Sequence, residues 1–441
     1  MKSKSLTPLL LVCFILLNSS CEKNEDDLGN YALVNTSIVA TRQDASALIE
    51  WNIIDPSWLY NSSMPYDGPK PVIPEHFEVY LSENKTDNWK LIKTIDFSST
   101  NNSFKITGLT NDKPYYVYLK CISNKVKETK ESNIAMFVPS EHKPSYSFIL
   151  EDYYGHDLYS FDRNNSNDKI VYGTKYFEFE PNSALSAIFI AESNSVPQLV
   201  DMNCWFPDFN SDGTKITYST NNDEIFDGVI LPEHIAIYDH STKKTAKVTS
   251  GYSVNKYPTW SPDNSLLAFS SSNNSDRELR ITLLNPETLE QTVLETGSDL
   301  PEEVLSYSQT HPAWSSDGEY IYFTQGYTTE DNVSPGYYDI YRIKSDGGTP
   351  EPVFDFDGTK CSPSISPDNS KLALLTDLNG KLQIWVYNFI EDRYSQPIDK
   401  NDFSFSKDWP SLRWKDNNTV FFSAYSEEKG GDYSLFTVKV E

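Results

Sequence analysis

Short runs in which apolar and polar residues alternate recur along the last two thirds of the chain. The stretch YPTWSPDNSLLAFSSS covers residues 257–272 and contains one such run, in which Leu267 and Phe269 share a face. Alternation of this kind is typical of a β-strand with one buried side. The preceding Asp263 and Asn264 favour a tight turn, because their side chains bond to their own backbone. The pattern predicts a strand, a turn and a second strand.

Four further copies of this hairpin follow the same pattern. Their prolines lie 51, 54, 51 and 47 residues apart, at Pro207, Pro258, Pro312, Pro363 and Pro410. A turn aspartate follows each proline, at Asp212, Asp263, Asp317, Asp368 and Asp416. An apolar residue lies four positions beyond each aspartate, at Ile216, Leu267, Ile321, Leu372 and Val420. An all-β unit that repeats every 40 to 50 residues indicates the blade of a β-propeller.

The second half of each unit also contains alternating runs, so each blade is predicted to have four strands. A degenerate unit precedes the five copies; Ile170 and Tyr172 match the paired strand positions, and Ser166 replaces the turn aspartate. The last unit ends after its third strand, at Glu441. Because an unpaired strand edge promotes aggregation, we expect residues 146–152 to supply the missing strand. The prediction is a six-bladed propeller over residues 145–441.

The motif Pro-x-Trp-Ser-Pro-Asp-Gly/Asn resembles the WD40-like (PD40) repeats of TolB-like β-propellers. The resemblance covers about two thirds of the chain. It implies the fold but says little about function, because propellers are scaffolds for many activities.

Residues 31–140 form a separate all-β unit with alternating strands. Trp51 lies in one alternating run, and Tyr115 opens another. The unit resembles a fibronectin type III domain, in which these residues would be the core tryptophan and the tyrosine of the tyrosine corner. A long insert at residues 55–74 departs from that pattern, and residues 139–145 are predicted to be a hinge. The expected fold class is therefore all-β, a fibronectin type III-like sandwich followed by the propeller.

The N-terminus has the features of an export signal. Two early lysines precede an apolar stretch, and Ser19 and Ser20 precede Cys21. Residues 1–20 resemble a lipoprotein signal peptide, with Cys21 as the lipidated residue; the alternative is an ordinary signal peptide. The acidic residues 21–30 resemble the tether that sends Bacteroidetes lipoproteins to the outer surface, or are a plain solvated linker. We expect an outer-membrane lipid anchor that is surface-exposed, with a periplasm-facing orientation as the alternative.

Charge and cysteine usage exclude several classes. The formal net charge of −26 argues against nucleic acid, since phosphate binding needs clustered Lys and Arg. Beyond Cys13 and Cys21, the widely spaced Cys121, Cys204 and Cys361 form no C-x-x-C motif. They are predicted to be buried free thiols and not a zinc site or a disulfide framework.

No cofactor or metal site is predicted. Some TolB-like relatives are polysaccharide lyases that hold a metal through propeller histidines. Only His311 and His234 lie in suitable places here, which is too few. The sequence contains no G-x-S-x-G elbow and no Gly-rich phosphate loop. The repeated turn aspartates form one rim and are predicted to be structural.

The opposite rim is predicted to be the working face. Several long segments connect strands there, and long loops on one face of a scaffold mark a functional surface. The residue before each repeat proline is expected to open the innermost strand on this rim. The predicted ligand-binding residues are Phe206, Tyr257, His311 and Trp409, together with Tyr337 and Tyr338 in a long loop; Ser362 occupies the same position in its repeat.

Three functions remain open from the sequence. The favoured one is a non-catalytic surface module that binds a glycan or a protein, with the first domain as a spacer. The second is a propeller-based polysaccharide lyase or hydrolase, whose candidate acids are Asp223, Asp227, Glu302, Glu303 and Glu330. The third is a periplasmic scaffold like TolB.

Overall fold

The computed structural model describes most of the chain after residue 30. The described residues are 31–54, 70–98, 102–126, 129–141, 146–150, 157–164, 168–176, 185–192, 197–221, 233–251, 253–272, 278–294, 304–329, 332–354, 358–398, 403–405, 412–426 and 432–440. Cys21, the predicted signal and tether, most of the insert at 55–74 and Ser166 lie outside them. Within these ranges no helix is long and apolar enough to cross a membrane.

The first unit is a sandwich of two antiparallel sheets. Its strands are β1 Tyr31–Leu33, β2 Asn35–Gln43, β3 Ser46–Ile54, β4 Lys70–Val72, β5 His76–Ser82, β6 Lys90–Asp96, β7 Ser103–Thr107, β8 Tyr115–Ile122, β9 Lys130–Glu131 and β10 Ala135–Phe137. One sheet of the sandwich has the order β2-β3-β7 and the other β10-β8-β5-β6, with β9 also on β8, while β1 and β4 form a separate parallel pair. Trp51 packs on Phe77 in the core, with ring centroids 5.3 Å apart. The Tyr115 hydroxyl accepts a hydrogen bond from the Thr110 amide at 3.1 Å. The fibronectin type III resemblance itself stays a prediction.

The second unit is built from six antiparallel sheets of successive strands. The first three are β12 Asp157–Arg163, β13 Ile170–Tyr176, β14 Leu185–Ala191 and β15 Gln198–Met202; β16 Cys204–Phe209, β17 Lys215–Thr220, β18 His234–Asp239 and β19 Lys244–Lys247; β20 Asn255–Trp260, β21 Leu267–Ser272, β22 Leu279–Leu284 and β23 Gln291–Val293. The next two are β24 Val304–Trp314, β25 Tyr320–Thr329, β26 Asn332–Lys344 and β27 Glu351–Pro352; β28 Lys360–Ile365, β29 Lys371–Thr376, β30 Gln383–Asn388 and β31 Arg393–Ser395. The last comprises β11 Tyr146–Leu150, β32 Phe403–Ser404, β33 Leu412–Asp416, β34 Thr419–Ser426 and β35 Asp432–Lys439.

These six sheets are the blades of a closed propeller. The innermost strands contact one another in the order β12, β16, β20, β24, β28 and β33, and β33 returns to β12. The predicted second-strand positions form the core between blades: Ile216, Leu267, Ile321, Leu372 and Val420 are all fully buried. Cys121, Cys204 and Cys361 are buried free thiols, as predicted.

The ring closes as the sequence predicted. β11 pairs antiparallel with β35, with Tyr146 opposite Val438, so the first propeller strand completes the last blade. On the inner side of the seam, the Ser423 hydroxyl donates to the Leu158 carbonyl at 2.6 Å. The two ends of the domain therefore share backbone and side-chain bonds, which removes the open edge of the last blade.

The turn aspartates are structural, which confirms that prediction. Asp263 Oδ1 accepts from the hydroxyls of Ser261 and Ser265 at 2.7 and 2.8 Å, and from the Ser265 amide at 3.0 Å. Asp368 accepts in the same way from Ser366 and Ser370, and Asp317 accepts from the Ser315 hydroxyl and the Glu319 amide. These bonds close the hairpin between the two inner strands of the third, fourth and fifth blades.

The sandwich is attached to the fifth blade and is not a free spacer. The carbonyl of Asn379, between β29 and β30, accepts from the Ala40 amide at 2.8 Å, and the Leu378 carbonyl accepts from the Met136 amide. A Cβ on Gly380 would clash with the Ile38 carbonyl oxygen, so the backbones approach closely there. The predicted hinge is also partly wrong, because Pro139 and Ser140 are buried and bonded to the sandwich.

Candidate functional site

Four innermost strands share an unusual residue directly before the repeat proline. Phe206, Tyr257, His311 and Ser362 have φ angles of 54°, 56°, 53° and 60°. Positive φ is uncommon for residues other than glycine and is a clear outlier for bulky ones. These residues lie two or more positions inside their strands, so the expectation that they open the strands is corrected.

The pairing register explains this conformation. In the third blade, Lys256 pairs with Ser270 and Thr259 with Ala268, so Tyr257 and Pro258 together oppose Phe269. This is a β-bulge, in which one extra residue bends the strand and redirects a side chain. Proline is tolerated in this bulge because it lies on an edge strand, where the amide hydrogen that proline lacks is not needed for strand pairing. The same register shift occurs in the second, fourth and fifth blades.

The bulges direct side chains into the central channel. Two consecutive residues from each innermost strand line a cavity there: Ser160, Phe161, Phe206, Pro207, Tyr257, Pro258, His311, Pro312, Ser362, Pro363, Leu412 and Arg413. All six blades therefore contribute to the channel mouth. Along each innermost strand the lining residues come before the hairpin turn, so the mouth lies on the rim opposite the turn aspartates.

Three of these residues form an aromatic cluster. The Tyr257 ring lies 4.3 Å from the Phe206 ring and 3.9 Å from the His311 ring, measured between centroids. Phe206 and His311 are edge to face at 6.1 Å. The second to fourth blades thus present aromatic rings, whereas the fifth and first present Ser362 and Ser160. One wall of the channel mouth is therefore aromatic, whereas the facing wall is mixed and also contains Phe161, Leu412 and Arg413.

His311 is neutral at physiological pH. Burial, together with the nearby charges of Arg413 and Lys256, lowers the pKa of His311 to about 3. Its Nε2 atom is buried and has no hydrogen-bond partner among the described residues, and the same holds for Oγ of Ser362, a residue that is 5% exposed. Buried polar atoms without a partner are costly, so each calls for an explanation.

One residue further along the strands, an arginine joins two buried aspartates. Arg413 Nε lies 3.2 Å from Asp162 Oδ1, and Nη2 lies 3.4 Å from Asp208 Oδ1. The remaining carboxylate oxygens accept backbone amides of the next blade, Phe209 and Trp260, each at 2.8 Å. We call Asp162, Asp208 and Arg413 the channel triad.

Burial has the largest influence on the pKa values of the two aspartates in the channel triad. Burial and the neighbouring Asp162 raise the pKa of Asp208 to about 7, against the lowering effect of Arg413. Burial also raises the pKa of Asp162. The triad spans the first, second and last blades and therefore crosses the ring seam.

Sequence reasoning missed the channel triad, because Asp162 and Arg413 are 251 residues apart. The sequence did contain a signal for the triad. In its own blade, each of the three residues comes directly after the position that the repeat proline occupies in the other blades. In the last blade, Trp414 pairs with Val420 as Trp260 pairs with Leu267. Leu412, and not Pro410, therefore occupies the proline position.

The predicted ligand-binding set also includes Tyr337, Tyr338 and Trp409. Trp409 lies outside the described residues. Tyr337 and Tyr338 are not in a loop, because β25 and β26 extend as a long hairpin in which they pair with Tyr327 and Gly326. Tyr338 packs against the core shared by the fifth and last blades.

The structure does not describe the candidate acids of the enzyme alternative. Asp223, Asp227, Glu302, Glu303 and Glu330 all lie outside them. Within the described ranges, no group of three or more His, Cys, Asp or Glu side chains is arranged to hold a metal ion.

No family model matches the chain, and no curated protein matches it. Among solved structures, it is similar to a protein of unknown function from Dyadobacter fermentans (12% identity, TM-score 0.46, covering 67% of this chain and 98% of that one). It is also similar to a putative TolB from Agrobacterium tumefaciens (14%, 0.43, 65% and 91%). A third is oligogalacturonate lyase from Vibrio parahaemolyticus (13%, 0.43, 68% and 98%). Likeness at this level carries no argument about activity. The chain's own strand pairing defines a β-propeller protein with an N-terminal β-sandwich.

Proposed function

We propose that this protein is a lipid-anchored, non-catalytic binding module of the cell surface. It holds a glycan or protein ligand at the channel mouth on the long-loop face of the propeller. The observation that supports this function is the set of four strained residues, Phe206, Tyr257, His311 and Ser362, that the bulges direct into the channel.

The strain supports binding more than packing. A left-handed conformation costs an L-residue about 1–2 kcal/mol, and glycine would avoid this cost. Strained backbone persists where the surrounding structure enforces it, and it is concentrated at ligand clamps and active sites. Aromatic rings with a polar atom nearby are also the usual anchors of binding surfaces. Four repeats that all keep a non-glycine residue here favour a role for the side chains.

Binding is tested with a glycan array and a pull-down from envelope extract. Tyr257→Ala is expected to weaken binding by about 1–3 kcal/mol, the usual effect of removing an aromatic anchor. Asp263→Ala, on the opposite rim of the same blade, is the matched control and is expected to leave affinity unchanged. Equal losses in both variants would place the site elsewhere. Turnover of a captured polysaccharide would instead support the enzyme alternative.

The anchor is tested separately. Cys21→Ala is expected to release the protein from the membrane fraction, because lipid chains on Cys21 are the proposed attachment. Protease added to intact cells is expected to cleave the wild-type protein. Membrane retention of Cys21→Ala would contradict the anchor, and full protection would place the protein in the periplasm.

A further inference from the structure

A second cavity lies between the sandwich and the propeller, beside the fifth blade. Its volume is about 400 Å³, and among the described residues it shares no lining residue with the channel mouth. Small-molecule sites have volumes of about 300–1,000 Å³ and are often found at domain interfaces. We call this cavity the interdomain cleft. The sandwich contributes Ser37, Lys85, Tyr116, Asn133, Ile134 and Met136 to it, and the propeller contributes Gly358, Asp377, Leu378 and Gly380.

Backbone contacts hold the two walls of the interdomain cleft together. The Leu378 carbonyl accepts a hydrogen bond from the Met136 amide, and Gly380 packs directly on the Ile38 carbonyl. Asn133 bonds to both backbone groups of Ile38, with Oδ1 2.8 Å from the amide and Nδ2 3.1 Å from the carbonyl. The cleft is therefore formed before any ligand arrives, and its walls come from both domains.

Three polar side chains lie directly beside these contacts. Ser37 precedes Ile38, Asp377 precedes Leu378, and Tyr116 pairs with Met136 across β8 and β10. All three side chains line the cleft and are half-buried, so a ligand in the cleft can reach them.

These side chains keep unused hydrogen-bonding capacity. In the described part of the chain, the hydroxyls of Ser37 and Tyr116 make no hydrogen bond, and Asp377 uses only Oδ1, which accepts from the Thr359 amide at 2.8 Å. Burial raises the pKa of Tyr116, so its hydroxyl keeps its proton and can donate. A ligand with several hydroxyl groups can satisfy all three side chains, because a hydroxyl both donates and accepts.

The rest of the lining favours an uncharged ligand with an apolar face. Ile134, Met136 and Leu378 supply an apolar surface, and Ile134 is 40% exposed. Lys85 brings a positive charge and Asp377 a negative one. A charged ligand would meet one like and one opposite charge, and so would gain little in return for its lost hydration. A sugar ring has an apolar C–H face and a hydroxylated edge, which matches this lining.

We propose that the interdomain cleft binds one uncharged sugar unit. The sugar hydroxyls bond to Ser37, Tyr116 and Asp377, and the C–H face of the ring packs on the apolar surface. Asp377 can only accept, so a sugar hydroxyl donates to it. The site is distinct from the channel mouth and does not rest on the function proposed above. The sandwich is then part of a binding site and not only a spacer.

Titration calorimetry tests the ligand class. The probes are glucose, galactose, mannose and N-acetylglucosamine, with glucuronate and glucosamine as charged counterparts. At least one neutral sugar is expected to bind about tenfold more tightly than the charged ones. Tyr116→Phe removes only the hydroxyl and is expected to weaken that binding about tenfold. The matched control is Tyr118→Phe, two residues along the same face of β8 and outside the described lining, which is expected to change affinity less than about twofold.

Methionine methyl NMR locates the ligand. The ¹³C-methyl signal of Met136, assigned with a Met136→Leu variant, is expected to shift as the neutral sugar is added, because Met136 lines the cleft. Met202 on β15 of the first blade is 41% exposed and serves as the internal control, whose signal is expected to stay in place. An unmoved Met136 signal, equal affinities of Tyr116→Phe and Tyr118→Phe, tighter binding of a charged sugar, or no saturable binding of any neutral sugar at millimolar concentration would overturn the inference.

Tyr257→Ala separates this site from the channel mouth. Tyr257 does not line the cleft, so this variant is expected to bind the neutral sugar as the wild type does. If Tyr257→Ala loses sugar binding and Tyr116→Phe retains it, the sugar binds at the channel mouth, the cleft inference fails and the function proposed above stands.

Discussion

The two ends of each blade's inner hairpin have opposite physical characters. At the turn rim, Asp263 is exposed to solvent and accepts one hydrogen bond from Ser261 and two from Ser265. These bonds lower the pKa of its carboxyl group. At the channel, Tyr257 has a strained backbone and its ring packs on those of Phe206 and His311. Beside it, Asp208 is buried and its pKa is raised to about 7.

The difference separates what stabilises the blade from what is available for binding. The turn rim satisfies its polar groups by bonds within each turn, as at Asp263, and by bonds to the turn of the next blade, as from Asn369 Nδ2 to Asp317 Oδ2 at 2.8 Å, and it gains stability from both. In the channel, His311 Nε2 and Ser362 Oγ have no hydrogen-bond partner in the described part of the chain, and four blades keep strained residues. Four substitutions or conditions, ordered from the largest expected effect to the smallest, test this comparison.

Replacing Arg413 with Met should have the largest effect on stability. It would leave Asp162 and Asp208 buried without their counterion, and removing one partner of a buried pair costs about 3–5 kcal/mol. We expect the free energy of unfolding to fall by about 3 kcal/mol at pH 8. This value is at the lower end of that range because the Arg413 side chain is 33% exposed. Urea denaturation measures it, and Arg413→Lys is the control that keeps the charge. Equal stability of Arg413→Met and the wild type would show that the triad does not hold the ring seam.

The channel triad should also make stability depend on pH. The pKa of Asp208 is higher in the folded state than in the unfolded chain, so the folded state holds the proton more tightly. This contribution is complete below about pH 4 and is lost as pH rises through about 7. Unfolding free energy is therefore expected to fall from pH 5 to pH 8, and less steeply in Asp208→Asn. Parallel pH profiles of the two proteins would contradict the shifted pKa.

Asp263→Ala should lower the free energy of unfolding by about 1–2 kcal/mol. The change removes one acceptor that serves two hydroxyls and an amide, and a typical hydrogen bond contributes about 0.5–1.5 kcal/mol. Asp263→Asn keeps an acceptor oxygen and is expected to cost less than half as much. Thermal and urea unfolding measure both variants. If the two lose equal stability, the carboxylate charge and not the turn hydrogen bonds stabilises the rim.

The smallest effect compares Ser362→Gly with Ser362→Ala. Because φ is 60° at Ser362, glycine is expected to be the more stable replacement by about 0.5–1 kcal/mol. The same pair at Ser364, two residues along the strand and without positive φ, is expected to show the opposite order, since glycine weakens an ordinary strand. If alanine is the better replacement at both positions, the bulge carries no strain.

The sequence by itself determined the parts of this protein that depend on local spacing. The distance from Pro258 to Asp263 and then to Leu267 repeats, and each repeat folds into the same hairpin with the same buried face. The closing strand was predictable as well, because the last unit lacked a strand and a spare run, residues 146–152, preceded the first unit. Alternation and turn residues act within about ten residues, so a pattern is enough to find them.

Only the tertiary structure decided how the channel is built. An X-Pro pair favours extended backbone, so nothing local predicts positive φ at Tyr257; the bulge opposite Phe269 imposes it. Likewise, Arg413 meets Asp162 only because the ring closes and brings the first and last blades together. Bulge register and ring closure depend on contacts between distant residues, and burial then sets the acidity of Asp208 and His311. These properties belong to the assembled ring, and a linear pattern does not contain them.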